Sequence, residues 1–388
     1  MNRREAIKLS VGAAMLAGLS SAVLHKSAHA DDKLRVGVLI PLSGPAGLFG
    51  PSCQNCTLLA VEEINAAGGI LGRSVEPVFA DVGGPPADAT KAALKLWKGE
   101  NVEAFIGMHD SAVRGALTSL FQGEVPYVYT PVYEGGECSP GTYVLGETPT
   151  QQLEPVVPWM ASNRGASKWY LIGNDYNWPR DTNAAAKGYI AASGGSVIGE
   201  EYLPFTVDNF DSNLAKIKET AADAVLITLV GGASVGFNRA FASFGLSGAA
   251  LRLGTLIEEN TLAGIGAENS ANLYSSAGYF GNIDTPVANA FKGAYTAKFG
   301  ADAAALNALG ESCYEGMQFL RALAERAGSL STEDMDGAAN GTSYEGPRGQ
   351  ATMEARHVSK DIYLAEADGV EFRVIETFAG VGPGKNCG

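Results

Sequence analysis

Three groupings in this 388-residue chain hold residue types that could do chemistry. Gly232-Ala233-Ser234-Val235-Gly236 matches the Gly-x-Ser-x-Gly elbow, which exposes a serine nucleophile between a strand and a helix. Asp302 or Asp336 followed by His357 would complete a triad in chain order, giving an exported serine hydrolase. Against it, such a short pattern arises easily among 49 glycines, and no His-Gly-Gly oxyanion loop appears. Cys53-Gln54-Asn55-Cys56 has redox-dithiol spacing but sits at the onset of a surface helix. The five cysteines (Cys53, Cys56, Cys138, Cys313, Cys387) leave at least one thiol unpaired or shared between chains, and their pairing stays open. His109 and His357 are the histidines beyond residue 30, and no His/Cys cluster has structural-metal spacing. Neither a metal nor a cofactor is expected. The third grouping suits capture rather than turnover: His109, Ser111, Thr130, Tyr133, Tyr176, Trp178, Gly231 and Glu258, all in loops that follow apolar runs.

Those loops need a scaffold, and the periodicity supplies one. Arg35–Ile40, Ala104–Ile106, Val125–Tyr129, Trp169–Ile172, Ser196–Ile198 and Ala224–Leu229 are short apolar runs that read as buried strands. Helical patterns alternate with them at Ala112–Phe121, Asp181–Ser193 and Ser212–Ala221. Another, with Leu58, Leu59, Val61 and Ile64 on one stripe, runs to Asn65 and is stopped by Gly68-Gly69. Strand–helix alternation implies an α/β fold with parallel sheets covered on both faces. In such sheets ligands bind beyond the carboxyl ends of the strands, which is why the loops matter. Pro-rich or polar interruptions mark boundaries near 147–152, 281–286 and 344–349. The Gly- and Pro-containing tail, 380–388, reads as loosely held.

The first 30 residues read as an address. Arg3-Arg4 precedes an apolar, small-residue stretch from Val11 to Val23, and Ala28-His29-Ala30 offers a cleavage site. This predicts twin-arginine export, cleavage near Ala30 and a periplasmic product without direct membrane insertion. The net charge is −14. Removing Arg3, Arg4, Lys8 and Lys26 against Glu5 makes the remainder more acidic still, which opposes nucleic acid as a partner.

The opening Leu59-Ala60-Val61-Glu62-Glu63-Ile64-Asn65-Ala66-Ala67-Gly68-Gly69-Ile70-Leu71-Gly72-Arg73 resembles type I periplasmic solute-binding proteins, the receptors of ABC importers. Tyr133-Glu134-Gly135, Asn174–Arg180, Tyr279–Pro286 and Glu345–Gly349 resemble the branch that binds urea and short-chain amides. The likeness runs from about Arg35 to about Phe372. It implies two doubly wound parallel-sheet lobes joined by a three-strand hinge, with 31–150 and 281–345 in lobe 1 and 151–280 and 346–388 in lobe 2. It also implies ABC permease subunits as partners and no enzymatic activity. Urea-type members carry an aromatic near the position of His109, where this chain has Met108-His109-Asp110.

A small amide or urea needs a partner for its carbonyl and for each N–H, since an unpaired buried group costs ~1–3 kcal/mol. Ser111, read as the N-cap of a helix, offers donors to a carbonyl. Thr130, Gly231 and Glu258 offer acceptors, Tyr176 closes from the second lobe, and Tyr133 and Trp178 supply apolar walls. His109 would accept an N–H or, protonated, reject cations; Asp110 reads as a capping or surface charge. The same fold with a branched-chain amino acid is the alternative, with Glu258 for the ammonium and Ser111 for the carboxylate.

Overall fold

The computed structural model describes residues 33–384 and Cys387, so the export-signal reading of 1–30 lies outside the described residues. The first sheet is built on β1 (Leu34–Ile40), an almost wholly buried run. It pairs in parallel with β2 (Val75–Asp81) and β3 (Ala104–Gly107), and β4 (Tyr127–Tyr129) and β5 (Thr142–Val144) extend it. The order is β2-β1-β3-β4-β5. The helix Gly50–Ala66 covers one face and ends where Gly68 and Gly69 take φ of 100° and 80°. A Cβ on Gly69 would lie 1.9 Å from the Arg73 carbonyl oxygen, so glycine is required there.

A second sheet repeats the plan. β6 (Lys168–Asn174) lies between β7 (Ser196–Leu203) and β8 (Ala224–Thr228), followed by β9 (Leu251–Gly254) and β10 (Leu273–Ala277), all parallel. A hairpin closes the edge: β14 (Lys360–Asp368) runs antiparallel to β10, and β15 (Glu371–Val381) runs antiparallel to β14. The chain is therefore an α/β fold of two lobes, the second with a mixed edge. A small sheet of β11 (Ser343–Gly346), β12 (Gly349–Glu354) and β13 (His357–Val358) completes the strands.

The chain passes between the large sheets three times: after Val144, between Ala277 and the helix Ala308–Ala327, and between Val358 and Lys360. The last passage follows β13 rather than falling at 344–349. Met353 and Val358 share a core with Leu34 and Val36 on the first sheet and Phe319 on the helix Ala308–Ala327. All three passages meet at a buried ionic cluster. Arg348 reaches Glu147 at 2.6 Å and Glu311 at 3.2 Å, and its Nε donates to Glu315 at 3.1 Å. Lys360 lies 3.5 Å from Glu147.

Two cysteine readings change. Cys138 and Cys387 form a disulfide, and the Thr148 hydroxyl donates to the Pro383 carbonyl at 2.9 Å, so the tail is tethered rather than loose. Cys53, Cys56 and Cys313 are free and buried; burial pushes the Cys53 and Cys56 thiols well up, the opposite of a reactive dithiol.

Candidate functional site

The strand orders place a crossover reversal between β1 and β3 in one lobe and between β6 and β8 in the other. The carboxyl ends at those reversals face one another across a cavity of ≈ 410 Å³. Pro41, Pro45 and Phe49 follow β1, Val82 to Pro86 follow β2, and Met108 to Ala112 follow β3. Tyr176 and Trp178 follow β6, Phe205 follows β7, Val230 follows β8, and Leu256 follows β9. Leu309 comes from the helix behind. Beneath the walls, Val38, Ile40 and Met108 pack with Trp178 and Val230, so the lobes share one apolar layer.

His109 lies on the wall, but both ring nitrogens are committed. Nδ1 faces the Asp110 carbonyl at 3.1 Å and must carry the proton; Nε2 then accepts from the Tyr127 hydroxyl at 2.8 Å. Burial holds its pKa at about 3, so it is neutral and neither accepts from a ligand nor repels a cation. Ser111 is also on the wall, but as the first helical residue. The N-cap is Asp110, whose carboxylate accepts from the Val113 N–H at 2.9 Å. The Ser111 hydroxyl donates to Glu134 at 2.5 Å and accepts from Arg114 at 3.2 Å.

Tyr176 stacks on Phe205 with ring centroids 4.9 Å apart, and Trp178 is buried beside it. Both line the cavity. Thr130 instead faces the helix Ala308–Ala327, where its hydroxyl accepts from Ser312 at 3.1 Å. Tyr133 stacks with His357 and bonds its Nε2, behind the wall. Gly231 makes a lobe-to-lobe contact: at φ +54° a Cβ there would sit 2.1 Å from the Pro45 carbonyl oxygen. Glu258 caps the helix Glu259–Ile265 through the Asn260 and Thr261 N–H groups at 2.8 and 2.7 Å. The structure thus gathers His109, Ser111, Tyr176 and Trp178 at the cavity and puts Thr130, Tyr133, Gly231 and Glu258 outside its lining.

Sequence reasoning missed the Val82–Pro86 loop and Phe205. The strand-end rule would have found both. β2 was not recognised, and β7 continues five residues past Ile198 through polar Glu200 and Glu201. Leu309 gave no local signal, because its helix is packed there by the fold.

The family model for periplasmic binding proteins matches residues 33–371. The chain belongs to the periplasmic binding protein family. Within it, the chain is 27% identical over 379 residues to the Leu/Ile/Val-binding protein homolog 6 of Brucella melitensis biotype 1, covering 94% of this chain and 96% of that one. It is similar to the solute-binding protein of an ABC transporter from Rhodopseudomonas palustris HaA2, solved in complex with p-hydroxybenzoic acid. There the TM-score is 0.83 at 25% identity, covering 91% of this chain and 99% of the other. A leucine-binding protein from Thermotoga maritima MSB8 shares the fold, with TM-score 0.80 at 19% identity over 89% and 99% of the two chains. As a member of this family the protein is a solute-binding receptor of an ABC transporter and not an enzyme. The elbow fits that conclusion: Ser234 Oγ is buried without a hydrogen-bond partner, and His357 is bonded to Tyr133 in the other lobe. Among the described residues no helix is long and apolar enough to cross a membrane.

Proposed function

We propose that this receptor is exported, released near Ala30, and captures between its lobes a molecule with an apolar, flat body and an uncharged planar carbonyl head, such as a primary carboxamide. The walls carry the reading. The cavity is lined by Phe49, Tyr176, Trp178, Phe205 and Leu256, and its ionisable lining residues are Asp110, neutral His109, Tyr129 and Tyr176, with neither lysine nor arginine. A buried carboxylate requires a cation or several donors, and Asp110 stands where its charge would lie. An amide head avoids that penalty. Its carbonyl suits the Ser111 N–H at the start of the helix Ser111–Phe121, the Val113 N–H being taken by the Asp110 cap, and its NH2 suits Asp110 and Ser111 Oγ.

Urea itself would occupy a small part of ≈ 410 Å³ and bury little apolar surface. Ligand-driven hinge closure, with only the closed form docking productively on a permease, is the working cycle of this reading. A branched-chain amino acid is the second reading. It is favoured by Asp110 on the wall as an ammonium partner and by the Leu/Ile/Val-binding names of the relatives.

Titration calorimetry with benzamide, benzoate, leucine and urea tests the proposal. Benzamide is expected to bind most tightly, and benzoate at least roughly tenfold more weakly, as an unpaired buried charge requires. Benzoate binding more tightly than benzamide would remove the uncharged-head reading, and leucine binding most tightly would select the second one.

A further inference from the structure

We infer that Glu134 is a positioning residue that sets both the specificity and the closure of this site. It takes the Ser111 hydroxyl proton, so that Ser111 Oγ meets a ligand only as an acceptor, and it ties that same group to Asn177 on the opposite lobe. The first half rests on the carboxamide reading above and names what selects it; the second half is independent of ligand chemistry.

The proton assignment follows from donor counting. An ionised carboxylate only accepts, so the 2.5 Å bond between Ser111 Oγ and Glu134 Oε2 uses the one hydroxyl proton Ser111 has. Arg114 Nη1 also only donates, and it reaches Ser111 Oγ at 3.2 Å. What Ser111 has left for the cavity is a lone pair. Tyr129, on the same wall, is in the same state: its hydroxyl donates to the His109 carbonyl at 2.7 Å. The head end of the cavity therefore asks for a ligand that brings donors.

Glu134 is not needed merely to neutralise Arg114. Arg114 Nε already has Glu137 at 3.0 Å, and Glu134 is a second carboxylate on one guanidinium. Its Oε1 accepts from Arg114 Nη2 at 2.6 Å and also from Asn177 Nδ2 at 2.9 Å. Asn177 opens the helix Asn177–Ala192 between Tyr176 and Trp178, two of the second-lobe aromatics that line the cavity. One carboxylate thus joins the group nearest the ligand head to the element that closes over the ligand. The loop that carries it is held from behind by the Tyr133–His357 pair and by the Cys138–Cys387 disulfide.

Affinities of benzamide and benzoate for the full protein and three variants test this, read as their ratio. Glu134→Gln returns a donor to the Ser111 side, and the ratio is expected to move roughly tenfold toward benzoate. Ser111→Ala is expected to weaken benzamide roughly tenfold and benzoate less than about threefold. Asn177→Ala, at an exposed position, should weaken both probes by a common factor and leave the ratio unchanged. A Glu134→Gln ratio equal to that of the wild type, or a Ser111→Ala protein that loses both probes equally, overturns the acceptor-only assignment. An Asn177→Ala protein with undiminished affinities overturns the closure role. A wild-type preference for benzoate defeats the carboxamide reading instead, and a ratio that still moves in Glu134→Gln then keeps Glu134 as its determinant.

Discussion

Tyr176→Ala is expected to weaken benzamide binding roughly tenfold, since it removes an aromatic wall whose burial is worth about 1.5–3 kcal/mol; calorimetry checks it, and unchanged affinity would take Tyr176 out of the site. His109 answers to pH rather than to ligand. Burial depresses its folded pKa to about 3, while the unfolded chain takes up a proton near 6.5. The linkage sign follows: its contribution to stability is intact above about pH 6.5 and is lost as the pH falls from there toward about 3. Unfolding midpoints between about pH 7 and 4 should fall more steeply for the wild type than for His109→Gln. The side-chain roles were the least legible part of the sequence. Ser111 and Glu258 both looked like groups free to meet a ligand. Which hydroxyl or carboxylate has its bonds already filled depends on Glu134 and Arg114 for Ser111, and on the Asn260 and Thr261 N–H groups for Glu258. A linear pattern does not contain those partners.

Elements were far more legible, because burial on both faces writes parallel strands as unbroken apolar runs. β1, β3, β6 and β8 stand close to where their runs place them, and so do the helices Ser111–Phe121 and Asn177–Ala192. Edges escaped notice: β2 is mostly half-buried, and β15, at the far edge of the second sheet, is mostly exposed or half-buried and carries Glu371, Arg373 and Glu376. Gly231 shows an element boundary doing inter-lobe work. With φ at +54° and the Pro45 carbonyl oxygen 2.1 Å from where a Cβ would be, Gly231→Ala forces the backbone or the lobes to shift. The backbone strain alone is worth about 1–3 kcal/mol. Benzamide affinity should fall with a smaller change in the unfolding midpoint than a core truncation gives. Full affinity would show that the contact is not needed for closure.

At the scale of the molecule, the two sheets repeat one strand order, and the chain crosses between them three times. Repetition was visible as alternating runs, but the place of the last crossing was not. The β11–β13 hairpin joins the first lobe because Met353 and Val358 fill its core, a long-range packing choice. The crossings converge on Arg348, which is surrounded by Glu147, Glu311 and Glu315, with Lys360 as a second cation. Burial works against the Glu315 charge, yet Arg348 overrides it and holds that carboxyl at about 2, while burial pushes Glu311 well up. Arg348→Met would strand these carboxylates, at a cost of about 3–5 kcal/mol, readable in denaturant unfolding. A loss within about 0.5 kcal/mol would mean the cluster is not holding the crossings together.

The position of benzamide in a crystal of its complex is the most direct measurement. The intact amide is expected against Ser111 and Asp110, with its ring beneath Tyr176 and Trp178 and both lobes touching it. Density for the molecule anywhere outside this inter-lobe space, or a hydrolysed benzoate in its place, would contradict it.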